Sequence, residues 1–164
     1  MRLTEAIVLK KIPMGETDGL YVLYTKEAGK IRAYAKGVCK EEAKLRSHLE
    51  PLTHAVVGLV EGKYGPRIVY AAVDKTRGRI TRSLEKMHVA WYVAKLVDAH
   101  CMEGDYDKEL WGAISNIFDD LEILPDTVVA VEGLLDCFEK EFTVQLGYGD
   151  DVSMVRMVRP YLLG

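Results

Sequence analysis

Hydrophobic and polar positions along this chain follow two different periods, and the change falls near residue 78. Before it, apolar residues come in short runs and alternations: Ala6-Ile-Val-Leu9, Leu20-Tyr-Val-Leu-Tyr-Thr25, Ile31 to Lys36, Leu52 to Val60 and Ile68 to Val73. Runs of this length, rich in β-branched and aromatic residues and bounded by Gly, Pro and Asp, predict five strands. A polar turn from Pro13 to Asp18 follows the first, and Lys26-Glu-Ala-Gly29 joins the second to the third, with Gly29 suited to a positive φ. Glu41 to His48 reads as a short helix or an ordered loop. This pattern predicts a small closed barrel of the oligonucleotide-binding (OB) type; an SH3-like barrel has a similar strand count.

Beyond Thr76-Arg-Gly-Arg79 the apolar residues recur at about 3.6. Around residues 82–102, Leu84, Met87, Trp91 and Ala94 form one stripe, widened by Val89, Val93, Leu96 and Val97, so a broadly buried helix is expected. A second helix, from Asp107 as N-cap to Leu121, carries Leu110, Ile114, Ile117 and Leu121, flanked by Trp111 and Phe118. A third carries Val128, Val131, Leu135, Phe138 and Phe142 and ends near Gly147. Short linkers favour antiparallel packing. The segment from Asp150 to Gly164 is ambiguous, and Pro160 argues against one continuous helix through its end. The fold class expected is α+β: an N-terminal five-stranded OB-type β-barrel over 1–78, then a C-terminal all-α domain over 79–164.

Charge sharpens this division. Residues 1–80 hold 15 Lys and Arg against 9 Asp and Glu, whereas residues 81–164 hold 7 against 16. Such asymmetry suggests two units with different partners, one of them a polyanion. Within the third strand, alternation sends Lys30, Arg32, Tyr34 and Lys36 to one face and Ile31, Ala33 and Ala35 to the other. Cations around an aromatic ring suit single-stranded nucleic acid, with its phosphate backbone and stackable bases. Lys40, Lys44 and Arg46 continue the basic stretch; Lys10, Lys11, Lys63 and Arg67 extend it, and Tyr24 is a further stacking candidate. The plain alternative is a Lys-rich strand whose polar face meets water and protects a sheet edge.

Signals for other chemistry are poor. Gly58-Leu-Val-Glu-Gly-Lys63 is one residue short of a phosphate loop and is followed by Tyr64 where Ser or Thr is required. Four histidines show no H-E-x-x-H pairing, and three cysteines (39, 101 and 137) contain no C-x-x-C. Cys101 and Cys137 fall in apolar helical patterns and are expected in the core. No catalytic residue, metal site or cofactor is expected. Without an apolar leader or a run of roughly 20 apolar residues, a cytoplasmic protein is expected.

Several segments, taken in order, carry a resemblance. Ala6-Ile-Val-Leu9, Gly15-Glu-Thr-Asp18, Leu23-Tyr-Thr-Lys-Glu-Ala-Gly-Lys30 with Ala35-Lys-Gly37, and Leu45-Arg-Ser-His-Leu-Glu-Pro51 lie in the first half. Ala90-Trp-Tyr-Val-Ala-Lys-Leu-Val97, Glu109-Leu-Trp-Gly-Ala-Ile114 and Leu146-Gly-Tyr148 lie in the second. With these the sequence resembles the RecO family of bacterial recombination mediators and DNA-repair proteins, in a short form without the four-cysteine zinc module some members carry after "L-G-Y".

The resemblance implies an OB fold and a helical domain, binding and annealing of single-stranded DNA with double-stranded DNA as a further ligand, and no enzymatic step. It implies a RecR-like protein and single-stranded DNA-binding protein (SSB) as partners, the acidic SSB tail docking on the helical domain. That domain is strongly acidic here, which runs against such a tail. By position Lys30, Arg32, Lys36, Lys40, Lys44 and Arg46 fall where the family carries DNA-contacting cations; Tyr34 rests on the strand-face argument alone. The alternative from another class is a protein-interaction adaptor with weak or no DNA binding.

Overall fold

The computed structural model of the protein describes residues 1–40 and 42–156. The N-terminal part forms β1 (Arg2–Met14), β2 (Asp18–Thr25), β3 (Gly29–Ala35), β4 (His54–Gly62) and β5 (Gly65–Lys75). These close in the order β1-β2-β3-β5-β4. All neighbours are antiparallel except β3 and β5, which meet in parallel with Tyr34 opposite Arg67. A single 3-10 turn, Arg46–His48, occupies the long β3–β4 connection. Closure removes most free sheet edges, and this five-stranded arrangement is the OB type.

Alternation fills the barrel. Ala6, Val8, Tyr21, Leu23, Ala33, Ala35, Ala55, Val57 and Ile68 point inward, and Val38 and Leu49 of the β3–β4 connection join them. The strands run longer than the sequence pattern indicates. In β1 the register shifts between Val8 and Lys10, a bulge that re-phases the strand and carries it past Leu9 through Met14, into the turn read from Pro13 on.

The chain divides into two compact units. One is Met1–Thr76 together with Cys101–Tyr106; the other holds Arg77–His100 and the described residues from Asp107 on. The second unit contains α1 (Gly78–Arg82), α2 (Leu84–His100), α3 (Lys108–Ile123), α4 (Val128–Gln145) and α5 (Ser153–Arg156). Asp107 caps α3 by accepting from the Leu110 amide at 2.9 Å, as its position suggests. Ser83 separates α1 from α2: its backbone is extended, and its hydroxyl accepts from the Lys86 amide. Residues 157–164, with Pro160, lie outside the described residues.

The broad buried surface expected on α2 is largely present: Val89, Val93, Ala94, Leu96 and Val97 are buried, with Ala90, Tyr92 and Lys86. Leu84, 67% exposed, and Trp91, at the surface, depart from it. Lys86 is accommodated because its ammonium donates to the Leu124 carbonyl at 2.5 Å and meets Asp126 at 2.6 Å. Its methylene stem packs like an apolar side chain while the head reaches oxygen. Glu139 of α4 is likewise buried, accepting from Tyr92 Oη at 2.8 Å and from Arg156 Nε at 2.6 Å. Cys101 is buried as expected, but Cys137 is exposed, on the polar side of α4.

Candidate nucleic-acid interface

Residues opposite one another in neighbouring strands share a face, so the register builds the outer surface of the barrel. Lys10 of β1, Val22 of β2 and Arg32 of β3 form one row. Ile12, Leu20, Tyr34 and, on β5, Arg67 form the next. The bulge in β1 places Lys10 there; unbroken alternation from Val8 would turn it inward. Lys10, Arg32, Lys36 and Arg67 are exposed and Tyr34 is half-buried. Four cations thus frame the partly exposed Leu20 and Tyr34, while Val22 of the first row is buried. Strands 2 and 3, with the β1–β2 and β4–β5 loops, are the ligand surface of OB barrels.

The β4–β5 turn adds a residue absent from the sequence-based site. Tyr64 is 76% exposed, and the Lys63 ammonium stands 5.2 Å from its ring centroid. An exposed ring beside a cation at a loop tip is a better stacking platform than Tyr24, which is fully buried. The signal was present as Lys63-Tyr64 between Gly62 and Gly65, a turn flanked by strands.

Lys30 departs from expectation. Alternation does send it outward, but it is only 7% exposed, because Cys101–Tyr106 lies across this end of β3. Lys30 and Glu103 bridge in parallel, and the Lys30 carbonyl accepts from the Gly104 amide at 2.9 Å. Glu103 also takes Arg32, Oε1 to Nε at 2.6 Å. The exposed cation ribbon on β3 therefore begins at Arg32.

The basic loop after β3 is held by Asp18. Its carboxylate accepts from the Gly37 amide at 2.8 Å and from the Thr17 hydroxyl at 2.9 Å. These bonds, the Gly37 amide first, hold the Asp18 carboxyl below its ordinary value; Lys36 and Lys40 add to the effect. The Cys39 amide donates to the Thr17 carbonyl at 2.8 Å, so the β1–β2 turn and the start of the basic loop are fastened together. Lys40, Lys44 and Arg46 are all exposed. Arg46 belongs with a different group, close enough to Tyr21 to act on its hydroxyl. There burial pushes the Tyr21 phenol up to about 12, with Cys39 and Glu50 adding and Arg46 opposing. Lys11 pairs with Glu50 at 3.5 Å and stands 6.0 Å from the Tyr21 ring, so its charge is already answered.

Among the described residues, Glu5, His54 and Asp74 bring ligand atoms within 4.8 Å of one another. His54 is fully buried, its Nε2 lying 3.3 Å from Glu5 and 3.9 Å from Asp74. Lys26 holds the other oxygen of Glu5 at 2.5 Å. A cation here would share Glu5 with an ammonium, so the group reads as a charge network. Among the described residues no helix is long and apolar enough to cross a membrane.

A closed OB-type barrel followed in sequence by a helical unit defines the class. Residues 1–65 match the family model described as "Recombination protein O N terminal". The DNA repair protein RecO of Pelotomaculum thermopropionicum is 32% identical over 144 residues, 88% of this chain and 54% of that protein. That of Heliobacterium modesticaldum is 31% identical over 151 residues, 92% of this chain and 53% of that protein. The chain resembles the RecO family, through a family match over its first 65 residues and relatives aligned along most of its own length. It spans about half the length of the curated relatives it matches.

Proposed function

We propose that the protein acts in DNA repair and recombination by holding single-stranded DNA on the β1–β2–β3 face of the barrel. The observation that carries this is the pair of cross-strand rows, Lys10–Val22–Arg32 and Ile12–Leu20–Tyr34–Arg67, with Lys36 beyond them. Cations set around the partly exposed Ile12, Leu20 and Tyr34 match a phosphate backbone with a base to stack. Contacts to phosphates leave bases available, and neutralising two bound strands lowers the repulsion that opposes their pairing. Annealing follows from that balance. A RecR-like protein is the protein partner that goes with this reading; the acidic helical domain runs against the acidic SSB tail.

The test is fluorescence anisotropy with a labelled oligothymidylate across a salt series. Replacing Lys10, Lys36 and Arg67 together by Ala is expected to weaken binding and to lower the slope of log K against log salt by about 2, roughly 0.7 per phosphate contact. An unchanged slope removes this face from the site. The burial of Lys30 and the pairing of Arg32 with Glu103 favour the adaptor as second reading. For an adaptor, the parent protein would leave the oligonucleotide unbound even at low salt.

A further inference from the structure

Cys101–Tyr106 leaves the helical run and packs with the barrel. Its sequence from Glu103 is Glu-Gly-Asp-Tyr, and Glu103 lies beside Lys30 and Arg32 of β3. It docks through backbone. β5 pairs with β3 at Tyr34, and at Lys30 the strap supplies a neighbour, with the Gly104 amide donating to the Lys30 carbonyl at 2.9 Å. The fit leaves no room for adjustment at Gly29, whose φ is +63° and where an added Cβ would stand 2.0 Å from the Asp105 carbonyl oxygen. Any side chain there would drive into backbone and adopt a strained φ.

From this fixed base Glu103 reaches Arg32 at 2.6 Å, with both side chains about half exposed. A carboxylate on a guanidinium, at the edge of a surface set with Lys10, Lys36 and Arg67, occupies the place a phosphate group takes. Lys30, one pleat further along the same outward face, lies beneath the strap.

We infer that the strap is an anionic gate: Glu103 stands on Arg32 as a stand-in for phosphate, and an incoming nucleic acid backbone must displace it. This rests on the single-strand reading above. The exchange is inexpensive, since an exposed ion pair holds weakly and is screened by salt. The gate therefore does not abolish binding. It selects for ligands whose phosphates reach Arg32 while others engage Lys10, Lys36 and Arg67, and so disfavours isolated anions.

The experiment compares four full-length proteins: parent, Glu103→Gln, Arg32→Ala and the double variant. Each is titrated with labelled oligothymidylate at two salt concentrations, after a thermal melt confirms folding. Glu103→Gln keeps the strap backbone and removes the charge. It is expected to tighten binding about twofold to fivefold at low salt, an effect in the range of one exposed pair. In the Arg32→Ala background the same change should tighten binding much less, because there is no guanidinium to release. Equal tightening in both backgrounds marks a general charge effect and overturns the gate. So does a Glu103→Gln variant equal to the parent while Arg32→Ala loses affinity, and that outcome leaves the binding face intact. If none of the four binds, the single-strand reading and the gate fall together. Binding by Glu103→Gln alone, with the parent unbound, overturns a gate held by one weak, exchangeable ion pair.

Discussion

On the barrel, Lys10 and Arg67 stand exposed on the sheet and Lys36 just past the end of β3, whereas in the helical unit Lys86 and Glu139 have no accessible surface. The barrel positions are set by strand alternation and cross-strand register, which orient a side chain without requiring a partner for it. The helical ones are clamped: Lys86 by the Leu124 carbonyl and Asp126, Glu139 by Tyr92 and Arg156, with Asp136 taking the far nitrogen of Arg156 at 2.7 Å. Charge displayed on a rigid sheet is available to a ligand, while charge buried between helices is structure. The net charge of each half does not reveal this difference; the burial of each group does.

The comparison predicts opposite consequences for the same kind of mutation. Glu139→Ala strips Tyr92 and Arg156 of a shared acceptor inside the bundle. It is expected to cost about 3 kcal/mol, as breaking a buried charged network does. Lys86→Ala loses a packed stem and leaves the Leu124 carbonyl without its ammonium, for an expected loss of about 2 kcal/mol. Both are read by urea unfolding, and both should leave oligonucleotide affinity unchanged at temperatures where the variants stay folded. If Glu139→Ala weakened binding as much as stability, the division of labour between the two units would be wrong.

How far this was visible in the sequence differs by element. All five strands and the three long helices were legible, because a closed barrel needs period two and a bundle needs 3.6. The strand ends were not: in β1 a bulge breaks the alternation, so the strand's continuation beyond Leu9, through Pro13 and Met14, was not read. On α2 the apolar pattern failed at single positions: Leu84 and Trp91 are apolar yet exposed, and Lys86 is charged yet buried, held by Leu124 and Asp126 far along the chain. In the site, alternation located Arg32, Tyr34 and Lys36, but the row joining Lys10 to Arg32 depends on register. The burial of Lys30 depends on residues 101–106, which strand periodicity within β3 does not contain.

Binding separates the units next. Tyr64→Ala removes the exposed ring of the β4–β5 turn, where stacking one base contributes about 1–3 kcal/mol. The expected loss lies toward the lower end of that range, since a turn tip is less rigid than a strand. Stability should move by no more than about 0.5 kcal/mol, as for other exposed positions. Matched titrations and urea melts of Tyr64→Ala and Glu139→Ala place one variant on each axis; a Tyr64→Ala protein with the parent's affinity would confine the site to the sheet face.

The smallest effect is a pH dependence that distinguishes the two carboxylate pairs. Lys26 beside Glu5 holds that carboxyl below its ordinary value of 4.5, with His54 adding to the effect against partial burial. In the helical unit the Lys86 hydrogen bond does the same to Asp126, whose ordinary value is 3.8. For both, the folded value lies below the unfolded one, so the stabilisation is complete above the unfolded value and is lost as pH falls through the folded value. The window therefore lies below about pH 4.5 for Glu5 and below about pH 3.8 for Asp126. Carboxyl titrations followed by NMR should show Asp126 returning nearly to 3.8 in Lys86→Met, where its principal donor is gone. Glu5 should recover only part of its shift in Lys26→Gln, because the buried His54 ring remains 3.3 Å away. Full recovery of Glu5 would mean that His54 contributes nothing to it, and the three-residue cluster would reduce to a single surface ion pair.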